Sequence, residues 1–154
     1  ATEYNSSGTT PSTSKDHVIG CTDGTSTYYE HETGLNQVKE GATTAITANI
    51  ESGDFDIGQQ GLDGDGEYMM KIRRIIPDFL AQTGDARITL NLRDFPNDVS
   101  VSSSLGPFTI TSGTQKIDTR ARARSVSLKV DNTSTSQFWR LGTFRLDIQP
   151  DGRR

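Results

Sequence analysis

Arginines recur at every second residue near the C-terminal end of the chain, at Arg120, Arg122 and Arg124. Two further arginines, Arg140 and Arg145, follow at the start of the last apolar stretches. A guanidinium group is a permanent cation with several N–H donors, so a row of them suits carboxylates or phosphates. Because alternate side chains of a β-strand lie on one face, the spacing predicts a cationic sheet face. We expect these five arginines to form a subunit interface, with a solvated face and DNA phosphate contact as alternatives.

Carboxylates are densest in the Gly- and Asp-rich residues 53–67. Oxygen ligands in such a loop are those that calcium prefers. The weak calcium candidates are Asp54, Asp56, Asp63, Asp65 and Glu67. Since the stretch lacks the full spacing of a helix–loop–helix calcium site, an acidic turn is the favoured interpretation. We expect no metal and no cofactor.

Residue types that carry out catalysis are sparse. His17 and His31 are the only histidines and Cys21 is the only cysteine, which excludes an internal disulfide. A serine hydrolase needs a histidine oriented by an acid, and the G-x-S-x-G pattern is missing. Phosphate-binding glycine loops and zinc-binding Cys/His patterns are missing as well. We therefore expect a protein that is not an enzyme.

Four aromatic residues offer a different kind of site, in which rings stack on a sugar or a receptor. They are Tyr28, Tyr29, Phe55 and Trp139. The alternative is that these rings pack in the core or in an interface. A receptor- or carbohydrate-binding β-sandwich is thus the second functional hypothesis.

Composition bounds the fold that must position these residues. Only 31% of the residues are hydrophobic, which favours a thin core such as that of a β-sandwich, or a subunit that gains burial from its neighbours. No run of about 18 apolar residues occurs, so we expect no membrane span. The first residue is Ala1, not Met, which suggests a fragment or a processed chain.

The charge is divided unevenly along the chain. Residues 1–66 hold two lysines against eleven acidic residues, a net of −9, whereas residues 67–154 hold fourteen cations against nine acids, a net of +5. The whole chain carries −4. An acidic half and a basic half attract one another within one molecule or between copies.

Alternation of apolar and polar residues predicts an all-β protein with strands about ten residues apart. We expect an antiparallel β-sandwich with long loops over residues 17–154, the C-terminal part of a longer chain, preceded by an extended flexible arm over residues 1–16. Short strands are predicted within residues 17–22 and 26–32. Longer ones are predicted over 44–52, with Ile46, Ala48 and Ile50 on one face, over 68–76, and over 86–95, with Ile88, Leu90 and Leu92 inward. Residues 96–111 are expected to supply a turn and two short strands.

The segment DTRARARSVSLKVDN is predicted to be one strand. On that interpretation the face of Arg120, Arg122 and Arg124 continues into Val126, Leu128 and Val130. The small residues of the opposite face, Ala121 and Ala123 among them, permit close packing. The strand would then leave the core and project its basic beginning into an interface.

A series of motifs resembles the C-terminal part of the tail nozzle, or packaged-DNA stabilization, proteins of short-tailed phages. In order they are YYEHETG, ESGDFDIG, IRRIIPDF, LRDFP, GPFTIT, IDTRARAR and WRLGTFRLDIQPDGRR, and they span residues 28–154. One position departs from the family pattern, since Ala123 stands where R-x-R-G-R has glycine. If that glycine permits a bulge or a close approach, this chain must do without it.

The resemblance implies a structural protein of the virion tail. Its copies would form a homohexameric ring at the distal end of the tail, which gates the DNA channel and retains the packaged genome until ejection. The implied partners are further copies of the chain, other tail proteins such as the adaptor and the tail tip, and packaged DNA in the channel.

Overall fold

The computed structural model describes residues 2–3, 18–19, 29–30, 34–39, 41–58, 61–62, 67–95, 98 and 100–153. These residues contain strands and no helix, and every strand pair is antiparallel, as the alternation predicted. The chain divides into two compact units, Ala1–Thr47 with Thr133–Gln137, and Ala48–Asn132 with Phe138–Arg154. Among the described residues, no helix is long and apolar enough to cross a lipid bilayer.

The first unit contains two small sheets. Strands β1 (Thr2–Glu3), β2 (Val18–Ile19) and β3 (Tyr29–Glu30) form a sheet of order β1-β3-β2, and β4 (Asn36–Lys39) pairs with β5 (Ala42–Ala45). The two short strands expected in residues 17–22 and 26–32 therefore exist and pair with each other. Residues 4–16 of the expected arm, His17, Cys21, Tyr28 and His31 lie outside the described residues, so the arm remains a prediction.

The second unit is a β-sandwich whose strands are numbered onward from the first unit. They are β6 (Asn49–Glu51), β7 (Ile57–Gly58), β8 (Gly61–Leu62), β9 (Tyr68–Ile76), β10 (Phe79–Thr83), β11 (Ala86–Arg93), β12 (Ser103–Ile110), β13 (Ile117–Ala123), β14 (Ser125–Asp131), β15 (Phe138–Leu141) and β16 (Arg145–Arg153). The larger sheet has the order β12-β11-β14-β6 and the smaller one β13-β9-β16. Two ribbons, β10-β15 and β7-β8, complete the unit.

The core lies between the two sheets. Side chains with no exposed surface come from β9, β11, β13 and β14, and they include Met70, Ile72, Ile88, Leu90 and Val130. Burial of each such side chain contributes about 1.5–3 kcal/mol, which is the main stabilisation available to so polar a chain. On β11 the expected inward set is confirmed, because Ile88, Leu90 and Leu92 are buried while their neighbours are half-exposed.

The segment 44–52 is not one strand. Residues 42–45 pair with β4, residues 49–51 pair with β14, and residues 46–48 lie between these strands. Ile46 lies outside β5 and Ile50 belongs to β6, so the prediction that they share one face of a single strand was wrong; they are 45% and 50% exposed. Likewise, residues 96–111 contribute the single strand β12, which carries a bulge between its pairs with Ile88 and Leu90, instead of two short strands. Phe55 and Ile57, in contrast, anchor their loop on the core as expected.

The segment DTRARARSVSLKVDN is also two strands rather than one. The chain leaves the smaller sheet at the end of β13, turns at Arg124, and enters the larger sheet as β14. Inward positions are Ala121 and Ala123 before this corner but Val126, Leu128 and Val130 after it. The parity of the buried face changes at the corner, so the apolar residues do not continue the arginine face. A strand that leaves the core is not needed to explain the pattern.

Candidate interface on the smaller sheet

Strand β13 presents two of the five candidate arginines to solvent. Arg120 and Arg122 are exposed, whereas Ala121 and Ala123 between and after them are buried at 2% and 0% exposure. The methyl group of Ala123 lies in the core opposite Met70, so the departure from the glycine of the family pattern is accommodated there. The small inward residues allow β13 to pack closely and fix where its arginines emerge.

Strand β9, in the middle of the same sheet, adds three more cations to this solvent side. Lys71 and Arg73 are exposed, and Arg74 lies opposite Asp118 of β13. A bulge at Arg73 shifts the register against β16, which pairs Asp147 with Arg74 but the next residue, Ile148, with Ile72. Because a bulge inserts one residue, Ile72 and Ile75 are both fully buried despite their odd spacing. Strict alternation would put Ile72 and Ile76 on one side of the strand, whereas the structure buries Ile75 and leaves Ile76 half-buried.

Strand β16 contributes Arg145 at the opposite edge. Arg145 is exposed, while Leu146 and Ile148 pack against the core, as the alternation predicted. We refer to the solvent side of the β13-β9-β16 sheet as the cationic face. Its cations are Lys71, Arg73, Arg74, Arg120, Arg122 and Arg145, and its carboxylates are Asp118, Asp147 and Asp151.

Two of the six cations are neutralised within the sheet. Arg74 Nε donates a 3.0 Å hydrogen bond to Asp118 Oδ1, and Arg122 Nε pairs with the carboxylate of Asp151. The hydrogen bond from Arg74, followed by that from Lys116, lowers the pKa of Asp118. Asp118 therefore stays ionised at neutral pH.

The remaining cations of β9 and β13 lack such partners. Lys71, Arg73 and Arg120 make no ion pair with any residue in the described part of the chain. Lys71 also lies directly opposite Arg122 across the two strands. Like charges in directly opposed positions destabilise a sheet, by an amount comparable to the roughly 0.2–1 kcal/mol of an ordinary cross-strand pair. The arrangement of cations therefore lowers the stability of the isolated chain.

The other two candidate arginines lie elsewhere. Arg124 is half-buried at the corner between β13 and β14, where its backbone N–H donates a 3.1 Å hydrogen bond to the carbonyl of Arg93. Arg140 is exposed on β15, opposite Ala81 in the β10-β15 ribbon. The structure therefore brings Arg120, Arg122 and Arg145 onto one face and separates Arg124 and Arg140 from them.

Sequence reasoning missed Lys71, Arg73 and Arg74. The signal was present in the run MMKIRRII, where the cations interrupt an apolar segment. It was not recognised because nothing in a period-two pattern tells which distant strand pairs with β9. Only the pairing of β9 with β13 places its cations beside the arginine row.

The calcium candidates do not converge in the described residues. Asp54 Oδ2 lies 2.8 Å from Arg93 Nε, and Glu67 Oε1 lies 3.2 Å from Arg153 Nη1. Asp63 and Asp65 lie outside the described residues. Within the described part, no group of three or more potential metal ligands is found.

The aromatic candidates that can be located face inward rather than forming a platform. Phe55 and Trp139 pack against the core, and the Trp139 ring meets Phe79 edge-on at a centroid distance of 6.5 Å. The Trp139 indole N–H is used in a 3.0 Å hydrogen bond to Asn132 Oδ1. Tyr28 and the side chain of Tyr29 lie outside what the structure describes.

The sequence matches no protein-family model and no curated protein.

Proposed function

We propose that this chain is a subunit of the tail nozzle of a short-tailed phage, a structural virion protein that forms the distal DNA channel. In this role it assembles into a ring, gates the channel and helps to retain the packaged genome. The observation that carries the proposal is where three motifs of the resemblance lie: IRRIIPDF, IDTRARAR and WRLGTFRLDIQPDGRR are separate in sequence but meet on one sheet.

These three motifs supply the three strands of the smaller sheet. IRRII belongs to β9, IDTRARA to β13 and RLDIQPDGR to β16, and β9 pairs with both of the others. Motifs that form one surface are more informative than the same motifs scattered over a fold, since a shared surface is what a common partner would contact.

The first and the last of these three motifs also meet in the β10-β15 ribbon. Phe79 of IIPDF pairs with Leu141 of WRLG, and the Gly142 N–H donates a 2.8 Å hydrogen bond to the carbonyl of Asp78. A Cβ on Gly142 would lie 2.9 Å from that carbonyl oxygen, so the glycine is needed for the approach. The glycine of WRLG is thus explained by its close approach to Asp78.

The cationic face gives the proposed subunit a surface for assembly. Lys71, Arg73 and Arg120 are held on a sheet without a counter-charge in the described residues, as expected for a surface that is completed by a partner. The partners in the proposed particle are other copies of the chain, the adaptor and tip proteins of the tail, and DNA within the channel.

Electron cryomicroscopy of the intact particle tests the proposal. We expect density for this chain in six copies around the tail axis, at the end distal to the capsid. A protein that stays monomeric at all concentrations and never co-purifies with virions would contradict it.

A further inference from the structure

We propose that the cationic face docks onto the acidic N-terminal half, residues 1–66, of a second copy of this chain. The inference rests on the proposed ring and specifies the contact that closes it. It states which surfaces of two copies meet, and this can be tested independently of the assignment to a phage tail.

The first step is the charge balance of the face. Six cations lie on it against three carboxylates, and two of those carboxylates are already paired with Arg74 and Arg122. Lys71, Arg73 and Arg120 are exposed and have no ion-pair partner among the described residues. A cationic cluster of this kind attracts an anionic surface, and in the isolated chain it is left with water and salt.

The second step is the rigidity of the platform. Beneath the cations, Met70, Ile72, Ala121 and Ala123 are at most 2% exposed and belong to the core. Neighbouring strands are about 4.8 Å apart and alternate residues on a strand about 7 Å apart, so the cations emerge at fixed positions. A partner with carboxylates at matching intervals is recognised without reorganisation of the backbone.

The third step is the identity of the occupant. Residues 1–66 carry a net charge of −9, and their carboxylates recur in pairs two residues apart at Glu30 and Glu32 and at Asp63 and Asp65. The chain thus encodes both halves of a complementary contact.

DNA fits the same face less well. Asp118, Asp147 and Asp151 lie among the cations, one on β13 and two on β16. A phosphate backbone carries charge at every nucleotide and would meet these carboxylates along its track. Carboxylates on a protein surface occupy separate positions and can avoid them.

The geometry of assembly follows from the use of two different surfaces. A contact between unlike patches is head-to-tail, and it closes into a ring when the rotation between copies permits. Such a contact gives each copy one neighbour on its cationic face and another on its acidic half.

Charge reversal of Lys71 provides the first test, with oligomeric state measured by sedimentation velocity and native mass spectrometry of the 154-residue chain. Lys71→Glu places a carboxylate opposite Arg122, so it preserves the fold while removing a cation from the contact. We expect at least a tenfold weaker association for Lys71→Glu and for Arg120→Glu, with an unchanged or higher Tm for Lys71→Glu. Arg140→Glu, which changes the net charge equally on another sheet, is the matched control and should associate like the wild type.

Mixing two reversed variants provides the decisive test. The first carries Lys71→Glu and Arg120→Glu, and the second carries Glu30→Lys, Glu32→Lys, Asp63→Lys and Asp65→Lys. Neither should self-associate, but the mixture should assemble, because each reversed surface then meets its complement on the other variant. Failure of the mixture to assemble would overturn the inference.

Three other outcomes would also contradict the inference. In the first, Lys71→Glu and Arg120→Glu associate as strongly as the wild type. Another is equal loss in Arg140→Glu, which would mean that only net charge matters. The third is binding of a duplex DNA oligonucleotide that is lost in Lys71→Glu and Arg120→Glu while association is retained, which would assign the face to DNA. None of these outcomes contradicts the nozzle assignment if the particle density shows six copies of the chain. Absence of the chain from the tail would contradict the nozzle assignment but not the proposed contact between copies.

Discussion

The indole N–H of Trp139 donates a 3.0 Å hydrogen bond to the side-chain oxygen of Asn132, a residue that is only 3% exposed. The same oxygen accepts a 3.2 Å hydrogen bond from the backbone N–H of Ala48, whose carbonyl accepts one from the Asn132 backbone N–H at 3.1 Å. Asn132 follows the end of β14, so it ties that strand to the segment preceding β6 and to β15. One buried amide thus connects three parts of the sandwich.

Replacing Asn132 by alanine should destabilise the sandwich. The change leaves the N–H groups of the partly buried Trp139 and of the exposed Ala48 without their acceptor, and a buried unpaired donor costs about 1–3 kcal/mol. We expect the free energy of unfolding to fall by about 1–3 kcal/mol in urea denaturation, mainly through Trp139. Asn49→Ala, at an exposed asparagine of β6, is the control and should change it by less than about 0.5 kcal/mol. Equal effects of the two substitutions would contradict the role assigned to Asn132.

Trp139 contributes to stability through its ring as well as its N–H group. The ring is partly buried against the core, edge-on to Phe79. Loss of a buried Trp costs about 3–5 kcal/mol, so the half-buried ring should cost about 2–4 kcal/mol in Trp139→Ala. Trp139→Phe keeps the aromatic contact and should cost about 1 kcal/mol, the value of the lost hydrogen bond. Thermal unfolding followed by circular dichroism measures both, and a change near zero in Trp139→Ala would mean that the ring is exposed in solution.

Gly142 should not tolerate a side chain. A Cβ there would lie 2.9 Å from the carbonyl oxygen of Asp78 and 3.3 Å from its Cγ, and the first atom is backbone that cannot move freely. We expect Gly142→Ala to lower the free energy of unfolding by about 1–3 kcal/mol, as overpacking does. At Gly53 a Cβ meets no atom within 4 Å, so Gly53→Ala should be neutral or slightly stabilising. Differential scanning calorimetry of the pair compares them, and equal Tm values would contradict the steric argument.

The fold class was predictable because alternation is a local property. Ile88, Leu90 and Leu92 follow one face of a straight strand from end to end, and the structure buries all three. For such strands, the sequence of hydrophobic and polar residues is enough to assign the buried side.

Prediction failed where the face of the strand changes within a run. At Arg124 the chain passes from one sheet to the other, so even-numbered positions point outward in β13 and inward in β14. At Arg73 a bulge produces a similar change within β9. Corners and bulges leave no periodic pattern in the sequence. The corner at Arg124 could still have been recognised, because Arg gives way to Val and Leu at the even-numbered positions after it. The full cationic face could not be predicted from the sequence, because it depends on the pairing of strands that are far apart in the chain.

The pH dependence of stability should include a contribution from Glu51. Hydrogen bonds from Ser127 and then Asn91, whose donors lie 2.8 Å and 2.7 Å from Glu51 Oε1, lower the pKa of this carboxyl below its ordinary value of 4.5. A lowered pKa in the folded state contributes stability that is present above the ordinary value and is lost as the pH falls through the lowered one. Ser127→Ala should therefore raise the pKa of Glu51 toward 4.5, as measured by carbon-detected NMR titration.

The matching stability measurement compares Glu51→Gln with the wild type. Their difference in unfolding free energy should be larger at pH 7 than at pH 3, because the wild-type carboxyl becomes protonated as the pH falls. A difference that does not change with pH would show that the hydrogen bonds do not favour the ionised form.

Burial should decide how strongly the ion pairs of this chain couple. Arg93 Nε lies 2.8 Å from Asp54 Oδ2, with side-chain exposures of 19% and 38%, although the N–H is not aimed at the oxygen. Arg93 Nη1 also donates a 2.8 Å hydrogen bond to the carbonyl of Asp98. In a double-mutant cycle of Arg93→Gln and Asp54→Asn we expect a coupling of about 0.5–1 kcal/mol, toward the upper end of values for surface pairs.

The pair of Arg74 and Asp118 is the internal comparison. It joins residues that lie directly opposite each other on β9 and β13, and it is more exposed, at 41% and 63%. Solvent screening reduces the interaction of such groups, and the entropy of holding two long side chains offsets much of the rest. We expect no measurable coupling between Arg74→Gln and Asp118→Asn in urea denaturation at 0.15 M salt. Equal coupling energies for the two pairs would show that burial does not decide the strength of the interaction. The alignment of the hydrogen bond from Arg74 would then be the determining factor.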